Sequence, residues 1–195
     1  MRQKLRQFLQ QREKRHMRDT GYIPSAVLVP IYCKDGQYHI LFTQRTSNVP
    51  YHKGEISFPG GGFDKRDRSL LDTALRESAE EIGLASEDVE ILGELDDNIT
   101  TTSNYVISPF VAFIPYPYPF RVDSKETEQI IEVPIEALMD KSSVTQQTEY
   151  LNNQPIVSYS YNYNGKVIHG ATARILHHFL DIWTRLAGDM RCGLK

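Results

Sequence analysis

The stretch from Phe58 to Leu84 limits the fold of this chain more than any other. It opens on three consecutive glycines, Gly60-Gly61-Gly62, directly after Ser57-Phe58-Pro59. Glycines remove side-chain bulk and permit positive φ, so such a bend lets backbone approach a ligand closely; a flexible loop is the plainer alternative. The spacing then predicts a helix over residues 69–82. Leu70, Leu71, Ala74, Leu75, Ser78, Ala79 and Ile82 form its apolar stripe, and Gly83 suits its C-terminal cap. Glu77 and Glu81 fall only about 40° apart around that helix, so both carboxylates can meet at one point. Two acids aimed at one point repel and need a cation, and hard oxygen donors suit Mg2+ or Mn2+. Arg76 stands four residues before Glu80, the spacing of a same-face ion pair. A solvated charged face explains the helix charges equally well when they are taken alone. The glycine bend just upstream, with backbone carbonyls to offer, favours the cation site, and Asp64 and Asp67 add acid between the two.

The remaining pattern is rich in strands. Residues 25–32 and 37–44 read as strands joined by the Asp35-Gly36 turn signal, which makes an antiparallel hairpin. Further strands are expected over 89–95, 108–114, 129–133 and 156–163. Pro134 is placed to start a short helix through Asp140, and a last helix runs over about residues 171–186. Residues 2–18 read as a helix with Leu5, Phe8 and Leu9 on one face and basic residues around the rest. That segment is either a basic arm for an anionic ligand or a solvated helix docked by its few apolar residues; the second is preferred. Strands outnumber helices and the first pair is antiparallel, so a mixed sheet with helices on its faces fits better than an alternating parallel sheet.

At 195 residues and 40% hydrophobic content, one good core is expected, organised as an N-terminal helical extension (1–20) and a single domain (21–190). The net charge of -3 does not point to nucleic acid. No apolar run reaches the roughly 20 residues that cross a bilayer, and the N-terminus lacks a signal-peptide core. A cytoplasmic protein with no membrane partner is therefore expected. Cys33 and Cys192 show no paired spacing, so neither a zinc site nor a disulfide framework follows, and a reducing compartment is the default.

Phe58 to Leu84 resembles a Nudix box, G-x5-E-x7-R-E-U-x-E-E-x-G-U with U apolar. Counted from Gly62, everything from the Arg76-Glu77 pair onward is in register apart from Ser78 at an apolar place, while Arg68 replaces the first Glu. A closer resemblance is to the coenzyme A pyrophosphatase subfamily, whose variant box is matched at Phe58, Pro59, Gly60, Gly61, Asp64, Asp67, Thr73 to Glu77, Glu80, Glu81, Gly83 and Leu84. Its upstream signature is matched at Leu41, Thr43, Arg45, Gly54 and Phe58 to Gly61, but Pro50 stands where Arg is expected. Ile168 to Leu176 resembles the subfamily's final helix, with His169 where Trp is common.

This resemblance implies an α+β protein, an α/β/α sandwich with the Nudix fold's mixed β-sheet between helices. It implies a pyrophosphohydrolase acting on a small-molecule nucleotide-diphosphate substrate, and it leaves a homodimer open. Coenzyme A or an acyl-CoA would be split to 3',5'-ADP and (acyl-)4'-phosphopantetheine. ADP-ribose-like compounds or nucleoside triphosphates are the enzymatic alternative, and a non-catalytic nucleotide-binding regulatory module is the alternative of another class. By the resemblance, Glu77 and Glu81 bind Mg2+ or Mn2+, Glu80 is a further ligand or is locked to Arg76, and the carbonyl of Gly60 or Gly61 completes the protein donors. The general base is a Glu of this helix or a later loop acid, with Glu126 and Glu128 the candidates. Arg45, His52 and, less so, Lys53 are candidates for substrate phosphates, with Gly61 beside them. Thr100 to Ser103 form a hydroxyl-rich loop that either touches substrate or is only a turn. His177 and His178 read as packing or surface residues.

Overall fold

The computed structural model describes residues 1–17, 21–46, 54–101, 103–151 and 154–187. The order of strands follows from hydropathy in its simplest form. β1 (Ile23–Lys34) turns at Asp35-Gly36, both at positive φ, into the antiparallel β2 (Gln37–Arg45). β1 sends Ala26, Leu28 and Tyr32 to one face of its sheet and Val29 and Ile31 to the other, and all five are buried. A strand apolar on both faces needs cover on both sides, and it receives it. Two short strands follow, β3 (Ile56–Ser57) on β2 and β4 (Gly60–Gly62) on β1. The glycine bend is thus a strand in its own right.

α1 (Arg2–Gln11) precedes this sheet, and α2 (Leu70–Ile82) covers one of its faces. The Ser69 side chain accepts from the Asp72 N–H at the start of α2, and Gly83 ends it in the left-handed conformation at φ 69. β5 (Glu90–Glu94) and β6 (Asn98–Ile99) each pair antiparallel with β7 (Tyr105–Phe113), and β7 runs parallel to β1. β8 (Thr127–Pro134) pairs antiparallel with β2 and leads into α3 (Ile135–Met139). The sheet is therefore mixed, as the sequence pattern requires. A second, three-stranded sheet follows: β9 (Val144–Leu151), β10 (Gln154–Tyr163) and β11 (Lys166–Ile168). β9 is absent from the hydropathy reading because Val144-Thr145-Gln146-Gln147-Thr148 lacks apolar alternation; its ladder with β10 makes it a strand. α4 (Gly170–Leu186) packs Ile175, Leu176, Phe179, Ile182 and Trp183 into the core on the face opposite α2.

The N-terminal helix is shorter than expected. α1 ends at Gln11, Arg12 caps it in an extended conformation, and residues 13–17 carry no helix and bond to the turn between β5 and β6. The cause is a better set of partners. Arg12 pairs with Asp96, Lys14 with Glu94 (2.6 Å) and Asp97 (2.9 Å), and the Asp97 N–H donates to the Arg15 carbonyl. Arg2 and Arg6 are engaged within the fold as well, both on Glu90. Leu5 and Leu9 are buried, and Gly93 leaves room for Leu9, because a Cβ there would lie 2.5 Å from the Leu9 Cβ. Cys33, partly buried at the end of β1, packs against the core. Cys192 lies outside the described residues. No described helix is long and apolar enough to cross a membrane.

Docking of α1 sets an expectation. Leu5→Ala lowers the unfolding free energy by about 2–5 kcal/mol, because it opens a cavity under a fully buried side chain. Lys4→Ala, on the exposed side, leaves it within about 0.5 kcal/mol. Urea titrations of both variants and wild type decide; equal midpoints would mean that α1 does not dock.

Candidate active site

Two glycines of β4 are required for different reasons. A Cβ at Gly60 would lie 2.3 Å from the Ala26 carbonyl oxygen on β1, so this position admits no side chain. A Cβ at Gly61 would lie 2.6 Å from the Glu77 carboxyl carbon. The bend is bare because a carboxylate from α2 lies against it. Glu81, one turn on, is 4% exposed, with the Gly60 N–H near enough to lower its carboxyl. The two acids thus reach adjacent residues of one short strand.

Arg76 fixes this arrangement. Its Nε and Nη2 donate to the two oxygens of Asp67 at 2.8 and 2.9 Å. Its Nη1 donates to Glu77 Oε1 (2.8 Å) and Glu80 Oε2 (3.2 Å), and its Nη2 also reaches the Gly62 carbonyl (3.3 Å). A planar guanidinium can serve several carboxylates and a carbonyl at once, which an ammonium cannot. Asp67 takes two further bonds, from Thr73 Oγ1 (2.8 Å) and the Asp64 N–H (3.0 Å). It is therefore the counter-charge of Arg76, not the added site acid that its position suggested, and Asp64 pairs with Arg66. The Arg76 fork holds the Asp67 carboxyl far below its usual range. Glu80 rests on Arg76 with 59% of its side chain exposed.

The glutamates behave oppositely to Asp67. Burial pushes Glu81 up to about 8, against the lowering effect of Arg45. Burial also raises Glu77, only partly offset by Arg76. Each is raised further by the charge of Glu126. Glu81 Oε1 lies 3.9 Å from Arg45 Nη1, and its buried Oε2 has no hydrogen-bond partner among the described residues. An uncompensated buried carboxylate oxygen costs several kcal/mol unless a cation or proton meets it. That orphan oxygen, beside the raised Glu77, fits a hard divalent ion. Among the described residues no three His, Cys, Asp or Glu side chains form a ready-made metal cluster, since Glu80 is turned to Arg76.

These acids line a cavity of about 940 Å3 with Arg45, Gly60, Gly61 and Glu126. Of the two loop acids, Glu126 faces the cavity; Glu128 is exposed on β8 and does not line it. Thr100, Thr101 and Ser103 also line it. His52, Lys53, Pro50 and Thr102 lie outside the described residues. Sequence reasoning missed Tyr105 and the start of α4, His169 to Thr172, as lining residues. The only hint was His169-Gly170 ahead of an apolar helix. His177 does pack, stacked on Tyr159 with ring centroids 3.6 Å apart and bonded to the Tyr161 hydroxyl at 2.8 Å.

A two-acid site on a helix beneath a glycine strand, at the edge of a mixed sheet between helices, describes a phosphohydrolase architecture. The NUDIX domain family matches residues 22–154. The Nudix hydrolase NudL of Photorhabdus laumondii is 33% identical over 153 residues, covering 78% of this chain and 81% of that protein. NudL of Yersinia pestis is 33% identical over 157 residues, covering 79% and 76%. Among solved structures, a MutT/nudix family protein from Enterococcus faecalis superposes with a TM-score of 0.60 over 91% of this chain and 68% of its own, at 15% identity, which speaks to fold alone. The chain belongs to the Nudix family and is a pyrophosphohydrolase with the α+β Nudix fold.

The Arg76–Asp67 pair gives a signed pH expectation. A carboxylate held below its ordinary value of 3.8 contributes stability that is complete above that value and fades as pH falls through the lower folded value. Asp67→Asn is therefore less stable than wild type by about 2 kcal/mol at pH 7, with a gap that narrows at pH 3. Paired urea titrations at both pH values test this; a constant gap would show that Asp67 acts through packing alone.

Proposed function

We propose that this enzyme hydrolyses the diphosphate linkage of coenzyme A or an acyl-CoA to 3',5'-ADP and (acyl-)4'-phosphopantetheine, with Mg2+ or Mn2+. The observation that carries the metal-dependent part is the orphan oxygen of buried Glu81 beside Glu77 and the Gly60-Gly61 strand. Glu77 and Glu81 would hold the ion, with the Gly60 carbonyl as the main-chain donor. When bound, a divalent ion neutralises diphosphate charge and acidifies water. Arg76 keeps Glu77 aimed by bonding it directly, and holds Glu80 at the cavity rim. Arg45, with a buried Nε that has no partner among the described residues, is suited to grip a phosphate oxygen. Glu126 is preferred to Glu128 as general base, because only Glu126 lines the cavity.

The coenzyme A assignment is supported by the variant box from Phe58 to Leu84 and by Arg45 in the upstream signature. One residue favours a second reading. Pro50 removes the guanidinium expected in that signature, which suits an ADP-ribose-like compound or a nucleoside triphosphate instead. A regulatory module without catalysis is disfavoured by the retention of Glu77, Glu80 and Glu81 together.

With Mg2+ or Mn2+, the purified protein releases 3',5'-ADP from coenzyme A, identified by chromatography against standards. A higher kcat/KM for ADP-ribose or a nucleoside triphosphate would move the assignment to the second reading. Glu77→Gln lowers kcat by roughly 10²-fold or more, since several kcal/mol of transition-state stabilisation depend on a metal-holding charge. Full turnover by this variant would place the reacting centre elsewhere.

A further inference from the structure

Beside the candidate active site lies a second cavity of about 410 Å3 between β2–β3 and the β10–β11 hairpin. The two cavities share Glu55 and His169 on their common wall. The hairpin turns at Asn164-Gly165, at φ 50 and 77, the conformation of a tight two-residue turn. That turn presents Lys166 to the cavity, half-buried.

The chemistry around Lys166 is unbalanced. Its Nζ donates to Gln44 Oε1 at 2.7 Å, and no described carboxylate forms an ion pair with it. Both ends of the Gln44 amide are engaged. Its Oε1 also accepts from Gln129 Nε2 (2.8 Å), and its Nε2 donates to the Gly54 carbonyl (3.1 Å). The amide therefore acts as a clip that joins β2, β8 and β11 and aims the ammonium. An ammonium carries three donors, and a neutral amide answers one of them. Glu55, the acid on the shared wall, has a partner of its own. Gln44, which holds the ammonium, is followed on β2 by Arg45, which lines the first cavity.

We infer that Lys166 forms a second anion subsite that selects nucleotide substrates carrying a phosphomonoester in addition to the cleaved diphosphate. The inference rests on the proposed diphosphatase reading of the neighbouring cavity and names the class of substrate that this cavity prefers. Lys166 supplies a point charge on a rigid hairpin, and the Gln44 clip holds it without neutralising it.

The test compares two substrates that differ by one phosphate, coenzyme A and dephospho-coenzyme A, with wild type, Lys166→Gln and Lys166→Arg. The wild-type ratio of kcat/KM favours coenzyme A, and Lys166→Gln lowers that ratio by about 10-fold, the scale of one charge-assisted contact. Lys166→Arg keeps most of it, and thermal melts check that both variants fold. An equal ratio in wild type and Lys166→Gln overturns the inference while leaving the diphosphatase activity standing. A second arm measures binding by calorimetry, with 3',5'-ADP against 5'-AMP. If neither substrate is cleaved, the proposed activity fails and this arm decides alone. Tighter binding of the bisphosphate that Lys166→Gln abolishes supports the subsite; equal affinities overturn it. Inorganic phosphate alone binding with the same Lys166 dependence would also overturn it, by assigning the cavity to a free ion.

Discussion

The site depends on a pair of carboxylates on one helix, one nearly buried with an orphan oxygen and the other pressed against a glycine strand. Glu81 is almost wholly buried and Glu77 lies against Gly61; the charge of Glu77 raises Glu81, and that of Glu126 raises both. Such a pair is a local deficit in folding energy that the rest of α2 must offset. The compensation is visible in the Arg76–Asp67 fork, the Ser69 cap, the Gly83 terminus and the apolar stripe packed on β1. Natural chains accept such a deficit where the group serves chemistry.

Around this pair the cavity is assembled from separated parts of the chain. β2 brings Arg45, the β4 glycines bring close-approach backbone, and the turn before β8 brings Glu126. The start of α4 and the Thr100 loop close the other side. Arg174 ties these last two together, donating from Nε to Asn98 Oδ1 at 3.0 Å and from Nη2 to the Ile99 carbonyl. The N-terminal segment braces the same region through Asp96 and Asp97, and Asp97 accepts from Ser108 at 2.7 Å. Arg2, Arg6, Arg12 and Lys14, which could have served as an arm for anions, pair with acids of the fold instead.

Legibility in the sequence followed the range of the interactions. Helix α2, its caps and the convergence of Glu77 with Glu81 were readable because they rest on neighbours within about one turn. The mixed sheet was readable because β1 and β2 are joined by a turn with a signature of its own. β9 was not, since a polar strand exists only through its neighbour. Helix α1 was read too long because Arg12 to Met17 have helical propensity but better partners on β5 and its turn. The role of Asp67 was misread for the same reason: Arg76, more than two helical turns along the chain, claims it.

By itself, the sequence determined the family, the class of chemistry and the two acids that share the candidate cavity, because a short helical repeat and a glycine run encode them locally. Tertiary structure alone decided which acids are buried and which are solvated, that Glu126 rather than Glu128 faces the cavity, and that Lys166 comes beside it. Burial and charge balance are set by neighbours distant in the chain, and no local pattern carries them.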